Sequence, residues 1–152
     1  MRVALLVSSY HGFITERLEQ GARAALREAG IADAAIETFA VPGAYELPQA
    51  ACRLAQSGDW SAVVCLGCLI RGETPHFDYI AQAASHGIMR AAQETGVPIA
   101  FGVLTTNTAE EALARATEGP ANKGREAATA ALEMAKLYAR LGGPGRAQPS
   151  SR

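Results

Sequence analysis

The chain has 152 residues, of which 49% are hydrophobic and 19% charged, and its formal net charge is −1 at neutral pH. This length suits one domain with a core of its own, and a near-neutral charge without basic runs argues against a nucleic-acid partner. The first apolar run, residues 3–7, is too short for a signal peptide or a membrane span, so we expect no membrane partner and a cytoplasmic location.

The first half of the chain alternates between apolar runs and helical periodicity. Residues 2–8 predict a strand that is apolar on both faces, as buried parallel strands are. A helix over 13–29 follows, and Gly30 ends it. The inward face of this helix is predicted to be Ile14, Leu18, Ala22, Ala25 and Ala29. A second strand, 35–41, leads through a turn into a helix over 45–56.

The second half continues the alternation with strands over 62–70 and 98–104. Between them, residues 79–95 predict a helix ended by Gly96. Its inward residues are predicted to be Ile80, Ala84, Gly87, Ile88 and Ala91. A short helix over 108–116 precedes a break at 119–120. The last helix, 122–141, is predicted to bury the stripe Ala127, Ala131, Met134 and Tyr138.

This order of elements predicts an α/β fold in which helices cover both faces of a four-stranded parallel sheet. Residues 1–141 form the single predicted domain, and the Gly/Pro/Ser-rich segment 142–152 is predicted to be a flexible tail. The low charged fraction favours subunit association, although an alanine-rich composition without structural meaning accounts for it equally well.

Cysteine spacing predicts structural thiols. Cys65 and Cys68 form a C-x-x-C pattern, but residues three apart in a strand point to opposite faces. No second pair completes a zinc site, so we expect no metal. The sequence also lacks the glycine motifs that bind dinucleotide or nucleotide phosphates, and it lacks the nucleophile-elbow motif.

The polar and aromatic residues are concentrated in four loops that follow the predicted strands, at 8–13, 41–46, 71–78 and 105–107. The carboxyl ends of parallel strands meet at one edge, so these loops are expected to converge into a ligand site. The third loop contains a guanidinium, a hydroxyl, an imidazole and a carboxylate, which together can hold an anion and move a proton.

Five motifs in order resemble those of the lumazine synthase family. Tyr10 precedes Ile14-Thr15, and the other motifs are V-P-G-A-Y-E-L-P at 41–48, L-G-C-L-I-R-G-E-T-P-H-F-D-Y at 66–79, F-G-V-L-T at 101–105, and Arg115-Ala116 followed by Asn122-Lys123-Gly124. The resemblance extends from residue 2 to about residue 140 and implies a flavodoxin-like three-layer α/β/α sandwich.

The family condenses 5-amino-6-(ribitylamino)uracil with 3,4-dihydroxy-2-butanone 4-phosphate to 6,7-dimethyl-8-ribityllumazine, and it uses no metal or organic cofactor. The resemblance therefore implies these small-molecule substrates and a homopentamer, or an assembly of pentamers, with sites at subunit interfaces. It also makes riboflavin synthase a candidate partner.

The resemblance assigns catalytic roles to His76 and Arg115. His76 would be the proton shuttle, since an imidazole titrates near neutral pH; spacing alone is equally typical of a helix-entry histidine bonded to the backbone. Glu73, through its backbone, and Thr74 would hold the phosphate, with Arg115 reaching over from a neighbouring subunit. Without the resemblance, an arginine in that position would be taken as a solvated helix residue.

The remaining assignments concern the ribityl-pyrimidine. Tyr10 would stack on the ring, Phe101 would close the site from the neighbour, and Lys123 is a weaker candidate for the same interface. Other predicted substrate-binding residues are Ala44, Tyr45, Glu46, Cys68, Leu69 and Ile70. His11 and His86 match no role and are expected to be structural or solvent-facing.

Two departures from the family pattern leave its assembly open. The family's leading edge strand has no counterpart before Arg2, which predicts its absence, and Gly119 replaces a lysine. Three alternatives therefore stay open: a non-catalytic relative that binds flavin or ribityl compounds, a structural shell protein, and a flavodoxin-like module similar in fold alone.

Overall fold

The computed structural model describes residues 1–142, so the predicted tail beyond Gly142 lies outside the described residues. Four strands and five α-helices alternate along this part of the chain. They are β1 (Val3–Ser8), α1 (Gly12–Glu28), β2 (Ile36–Val41), α2 (Leu47–Gln56), β3 (Ala62–Ile70), α3 (His76–Thr95), β4 (Ile99–Thr106), α4 (Ala109–Arg115) and α5 (Lys123–Leu141). Short 3₁₀ turns at Asp33–Ala35 and Ala44–Glu46 lead into β2 and α2.

The strands form one parallel sheet in the order β2-β1-β3-β4. Leu5 of β1 lies opposite Thr38 of β2 on one side and Val64 of β3 on the other. The two central strands are buried on both faces, which explains why they are apolar throughout. The predicted α/β class with a four-stranded parallel sheet is confirmed.

Helices cover the sheet on both faces and define two apolar layers. Helices α1, α4 and α5 pack on one face through residues such as Leu18 and Ala131. Helices α2 and α3 pack on the other through Leu47 and Ile88. None of the helices within residues 1–142 is long and apolar enough to cross a membrane.

Two predicted inward helix faces, those of α1 and α5, are wrong in detail. Leu26, rather than Ala29, continues the buried face of α1, because the helix ends at Glu28 and Ala29 is exposed. Met134 is 40% exposed. The buried stripe of α5 consists instead of Gly124, Ala127, Ala128, Ala131, Leu132 and Ala135. Mostly small side chains therefore pack α5 against α1 and the sheet, and the larger Met134 lies on its solvent side.

Helix α3 begins at His76, three residues earlier than predicted. Its first turn is largely exposed and therefore carries no apolar periodicity. Pro75 precedes it, and proline is common at helix starts because its fixed φ suits the first turn. The earlier start places His76 in the first turn of a 20-residue helix.

Close contact between α1 and α5 sets the position of the chain segment before α5. A Cβ added to Gly124 would lie 2.0 Å from the Leu18 carbonyl oxygen, and one on Gly21 would lie 2.1 Å from Asn122 Oδ1. Asn122 is buried; its Nδ2 donates to the carbonyls of Arg17 and Ala116, and its Oδ1 accepts from the Arg125 N–H. Asn122 and Gly124 therefore have structural roles that fix where Lys123 lies.

Candidate active site

A cleft of about 690 Å³ lies at the carboxyl edge of the sheet, on the face covered by α2 and α3. The loops after β1, β2 and β3 converge on it, as the topology predicted. Its lining residues are Tyr10, His11, Pro42, Gly43, Ala44, Tyr45, Glu46, Leu69, Ile70, Gly72, Thr74, His76, Phe77 and Ile80. The loop after β4, at 105–107, was also predicted to converge there but contributes none of these lining residues, so that part of the prediction is wrong.

Backbone hydrogen bonds join the first two loops into one wall of the cleft. The Ser9 N–H donates to the Val41 carbonyl at 2.8 Å, and the Tyr10 N–H donates to the Pro42 carbonyl at 3.1 Å. Tyr10 is 66% exposed and Tyr45 56% exposed, so both rings are available to a ligand. This wall therefore combines aromatic surface with the carboxylate of Glu46.

The opposite part of the cleft is formed by the β3–α3 loop and the start of α3. Gly72 and Thr74 line it, whereas Glu73 contributes no side chain to the lining. No side chain caps the N-terminus of α3, so the N–H groups of His76 and Phe77 remain available, whereas the next two donate to the carbonyl that precedes the helix. An uncapped helix start with an adjacent hydroxyl is a suitable binding place for an anion.

Arg71 braces this loop from outside the cleft. Its backbone N–H donates to the Thr106 carbonyl at 2.8 Å, and its Nε donates to Asn107 Oδ1 at 3.2 Å. The guanidinium also pairs with Asp78 at 3.3 Å and lies 4.4 Å above the Phe77 ring. These contacts tie the end of β3 to the start of α3 and to the end of β4.

The predicted residues of the third strand divide between the two faces. Leu69 and Ile70 line the cleft, but the Cys68 side chain is buried in the opposite apolar layer, so only its backbone is available on the cleft side. Cys65 lies in the layer under α2 and α3. Burial raises the pKa of the Cys65 thiol to about 12 and that of Cys68 to about 11, which fits inert structural thiols.

Three predicted site residues lie together in a second, separate cavity of about 340 Å³. Phe101 on β4, Arg115 at the end of α4 and Lys123 at the start of α5 line it. Phe101 is 44% exposed, Arg115 donates to the Glu111 carbonyl at 2.9 Å, and Lys123 pairs with Glu126 at 2.9 Å. The structure thus brings the site residues together in two groups within one chain.

Several cleft residues, among them His11, Phe77 and Ile80, were given no site role from the sequence, and His11 is the one of these three with an ionisable side chain. Its ring lines the cleft, with its centroid 4.4 Å from that of Tyr10, and burial lowers its pKa. The signal available in the sequence was its place immediately after Tyr10 in a loop that follows a strand. His86, by contrast, is exposed on α3 and lies outside the cleft lining.

Within residues 1–142, no three His, Cys, Asp or Glu side chains are grouped closely enough to hold a metal ion. A parallel α/β sandwich with a ligand-sized cleft at the carboxyl ends of its strands has the architecture of a small-molecule-binding protein or enzyme. The family model for 6,7-dimethyl-8-ribityllumazine synthase matches residues 1–139.

A curated relative agrees with this match. The 6,7-dimethyl-8-ribityllumazine synthase of Chlorobium phaeovibrioides is 50% identical over 137 residues, which cover 90% of this chain and 88% of the relative. The chain belongs to the 6,7-dimethyl-8-ribityllumazine synthase family, as its motifs predicted, and is an enzyme of that family.

Proposed function

We propose that the chain condenses 5-amino-6-(D-ribitylamino)uracil with 3,4-dihydroxy-2-butanone 4-phosphate to 6,7-dimethyl-8-ribityllumazine and releases phosphate and water. Family membership supports the reaction. The observation that carries the proposal is the cleft itself, in which one aromatic wall faces an imidazole at an uncapped helix start. A flat heterocycle and a phosphate ester are ligands that suit these two parts.

In this proposal the aromatic wall holds the ribityl-pyrimidine. The Tyr10 ring stacks on the pyrimidine, and Leu69 and Ile70 supply the apolar side of its pocket. The Glu46 carboxylate and the backbone of Ala44 and Tyr45 accept and donate hydrogen bonds to the ribityl hydroxyls. Since Cys68 has no side chain in the cleft, its contribution is through the backbone.

The butanone phosphate occupies the other end, with its phosphate on the backbone around Glu73, on Thr74 and on the N–H groups of His76 and Phe77 at the start of α3. His76 then moves protons while the amine forms a Schiff base with the ketone, phosphate is eliminated and the ring closes. The helix dipole at this position favours the phosphate.

The second group of site residues completes the site from a neighbouring subunit. Phe101, Arg115 and Lys123 line their own cavity rather than the cleft of the same chain, which supports a ring in which β4 and α5 of one subunit face the cleft of the next. Arg115 would meet the phosphate and Phe101 would cover the pyrimidine. We propose a pentamer, or an assembly of pentamers, as this ring.

The test is turnover of the two substrates by purified protein, followed through the absorbance and fluorescence of the lumazine. The His76→Ala variant is expected to lose about 100-fold or more in kcat, because a positioned acid–base group contributes roughly 10²–10⁴-fold. His86→Ala, on the exposed side of the same helix, is the matched control and should keep its activity.

Absence of turnover above the uncatalysed rate would overturn the proposed reaction. If such a protein still bound the ribityl-pyrimidine, the non-catalytic binder would replace it. Turnover that survives the His76 substitution unchanged would keep the reaction and remove His76 from its role.

A further inference from the structure

His11 has a backbone conformation that few side chains adopt. Its φ of 59° and ψ of 45° are left-handed, and it is the one non-glycine residue with positive φ within residues 1–142. This conformation crowds the Cβ against the following carbonyl oxygen, so glycine is the usual choice. Strained residues of this kind concentrate at functional sites.

Starting helix α1 does not require an imidazole at this position. The His11 carbonyl accepts the N–H groups of Ile14 and Thr15 at 2.9 Å and 3.1 Å, and any residue provides that carbonyl. The side chain makes no capping hydrogen bond. The helix start therefore accounts for the backbone of His11 and leaves its ring unexplained.

The ring is placed between the cleft and two other aromatic side chains. Its centroid lies 4.4 Å from that of Tyr10, with the planes tilted by 57°, and 6.1 Å from that of Phe13, which it meets edge-on. His11 also lines the cleft, whereas Phe13 lies outside the cleft lining. Any ligand stacked on Tyr10 is therefore within the neighbourhood of the imidazole.

We propose that the His11 side chain is a further substrate-binding residue, which contacts the ribityl-pyrimidine and fixes the orientation of the Tyr10 ring against it. The identity of the ligand rests on the proposed function. This assignment adds the imidazole to the Tyr10 and Tyr45 rings of the aromatic wall.

The state of the imidazole indicates which substrate it contacts. Desolvation lowers the pKa of His11 and so favours the neutral ring, which offers one donor and one acceptor. A neutral ring suits hydroxyl and ring N–H or carbonyl groups and supplies no positive charge to a phosphate. The loop that carries Tyr10 and His11 is hydrogen-bonded to the Val41–Glu46 segment. Together they form the wall that is assigned to the ribityl-pyrimidine.

Substituting His11 by glycine separates binding from structure. His11→Gly removes the ring and relieves the left-handed strain, so its Tm should equal or exceed that of the unchanged protein. Its Kd for the ribityl-pyrimidine, measured by calorimetry, should rise about tenfold, in line with the loss of a hydrogen bond and a ring contact. Its KM for the butanone phosphate should stay within about twofold.

His11→Asn is the conservative variant, because asparagine tolerates the left-handed conformation and keeps a donor and an acceptor. It should recover most of the affinity lost in His11→Gly. His86→Asn, an exposed histidine outside the cleft, is the matched control and should bind as the unchanged protein does.

An unchanged Kd in His11→Gly would overturn the assignment. A lowered Tm together with equal increases in both KM values would overturn it too, because that result would indicate a structural role. Because calorimetry needs no turnover, the two proposals fail separately. Binding without lumazine formation would overturn the reaction and leave His11 testable by Kd, whereas turnover with an unaffected Kd would overturn the His11 assignment alone. If the unchanged protein bound no ribityl-pyrimidine, both would fall.

Discussion

At the scale of single residues, burial of the His11 imidazole couples its protonation to stability. Desolvation lowers its pKa in the folded chain, so between the folded and unfolded pKa values the unfolded chain binds more protons. The stabilising contribution is therefore complete above the unfolded pKa of about 6.5 and is lost as the pH falls through the folded value. We expect the free energy of unfolding to decrease on acidification more in the unchanged protein than in His11→Asn.

Urea unfolding of both proteins at a series of pH values between about 5 and 8 measures this difference. His86→Asn controls for the loss of a histidine without burial. The cleft also contains the titratable side chains of Tyr10, Tyr45, Glu46 and His76, which both proteins share. Parallel curves for the unchanged protein and His11→Asn would contradict the predicted linkage.

At the scale of secondary-structure elements, Asn122 connects the start of α5 with α1 and with the end of α4. It is buried, caps α5 and donates to two carbonyls. Asn122→Ala removes the cap and leaves buried carbonyls without their donor, so we expect a loss of about 2–3 kcal/mol in the free energy of unfolding. Since subunit association contributes to stability, unfolding is compared at one subunit concentration.

Thr108 offers the matched control, because it caps α4 through the Glu111 N–H at 3.1 Å but is exposed. Thr108→Ala should cost only about 0.5–1 kcal/mol. A similar cost for the two variants would mean that the buried amide of Asn122 contributes nothing beyond an ordinary cap.

The contacts of Arg71 with its neighbours lead us to predict an effect on kcat/KM rather than on stability. Its ion pair with Asp78 is about half exposed on both sides, so the pair itself adds little to the stability of the fold. The same contacts hold the loop that carries Thr74 and precedes His76. Arg71→Ala should therefore lower kcat/KM by about tenfold, through a loosened loop, while its Tm changes little.

Asp78→Asn, which keeps the shape of the partner and removes its charge, should show a smaller decrease of the same kind. The Arg71→Ala and Asp78→Asn double variant should be no worse than Arg71→Ala alone, because both act through one contact. A large fall in Tm without a change in kcat/KM would contradict the positioning role.

Much of the element order was predictable because burial leaves a strong pattern in this chain. The central strand β3 was predicted with the bounds that the structure has, since both its faces are buried and the whole run is apolar. The start of α3 was not, because His76 and its neighbours are exposed and follow no apolar period. The position of Met134 depended on the packing of α5 against α1, which sequence periodicity alone does not fix.

The candidate site shows the same division. Of the residues that the motifs assigned to the site, those of the first three loops line the cleft except Cys68 and Glu73, and topology explains why loops far apart in sequence meet there. The approach of the His11 ring to Tyr10 was not predictable, since it depends on a left-handed backbone that the pattern Tyr10-His11-Gly12 does not specify. In the same way, no sequence feature indicated that Arg71 joins the ends of two strands.

At the scale of the whole molecule, the two groups of site residues make assembly part of the chemistry. The cleft opens at the carboxyl edge on the α2 and α3 face, while the second cavity is formed by edge strand β4 with α4 and α5. In the proposed ring, one surface of a subunit would complement a different surface of its neighbour, and such a head-to-tail interface closes into a ring where the rotation between subunits allows it. Under this arrangement no isolated subunit contains a complete site.

Mixing two inactive variants tests the shared site directly. His76→Ala lacks the proposed proton shuttle in the cleft but keeps the second cavity, and Arg115→Ala has the reverse defect. In a ring formed from equal amounts of both, an intact site needs an Arg115→Ala chain beside a His76→Ala chain in the correct order. Random mixing gives about one quarter of the sites this composition, so we expect roughly a quarter of the unchanged activity after the variants are unfolded and reassembled together.

Each variant reassembled alone provides the baseline, and mass spectrometry of differently tagged chains establishes that mixed rings have formed. If Arg115 acted within its own chain, every site would keep one of the two defects, and no mixture would then recover activity. Mixed rings without recovery would therefore overturn the shared site. A recovery near one quarter of the unchanged activity, well above that of each variant alone, would assign Arg115 to the neighbouring cleft. Only a complementary pair of chains restores both the imidazole and the guanidinium to one site.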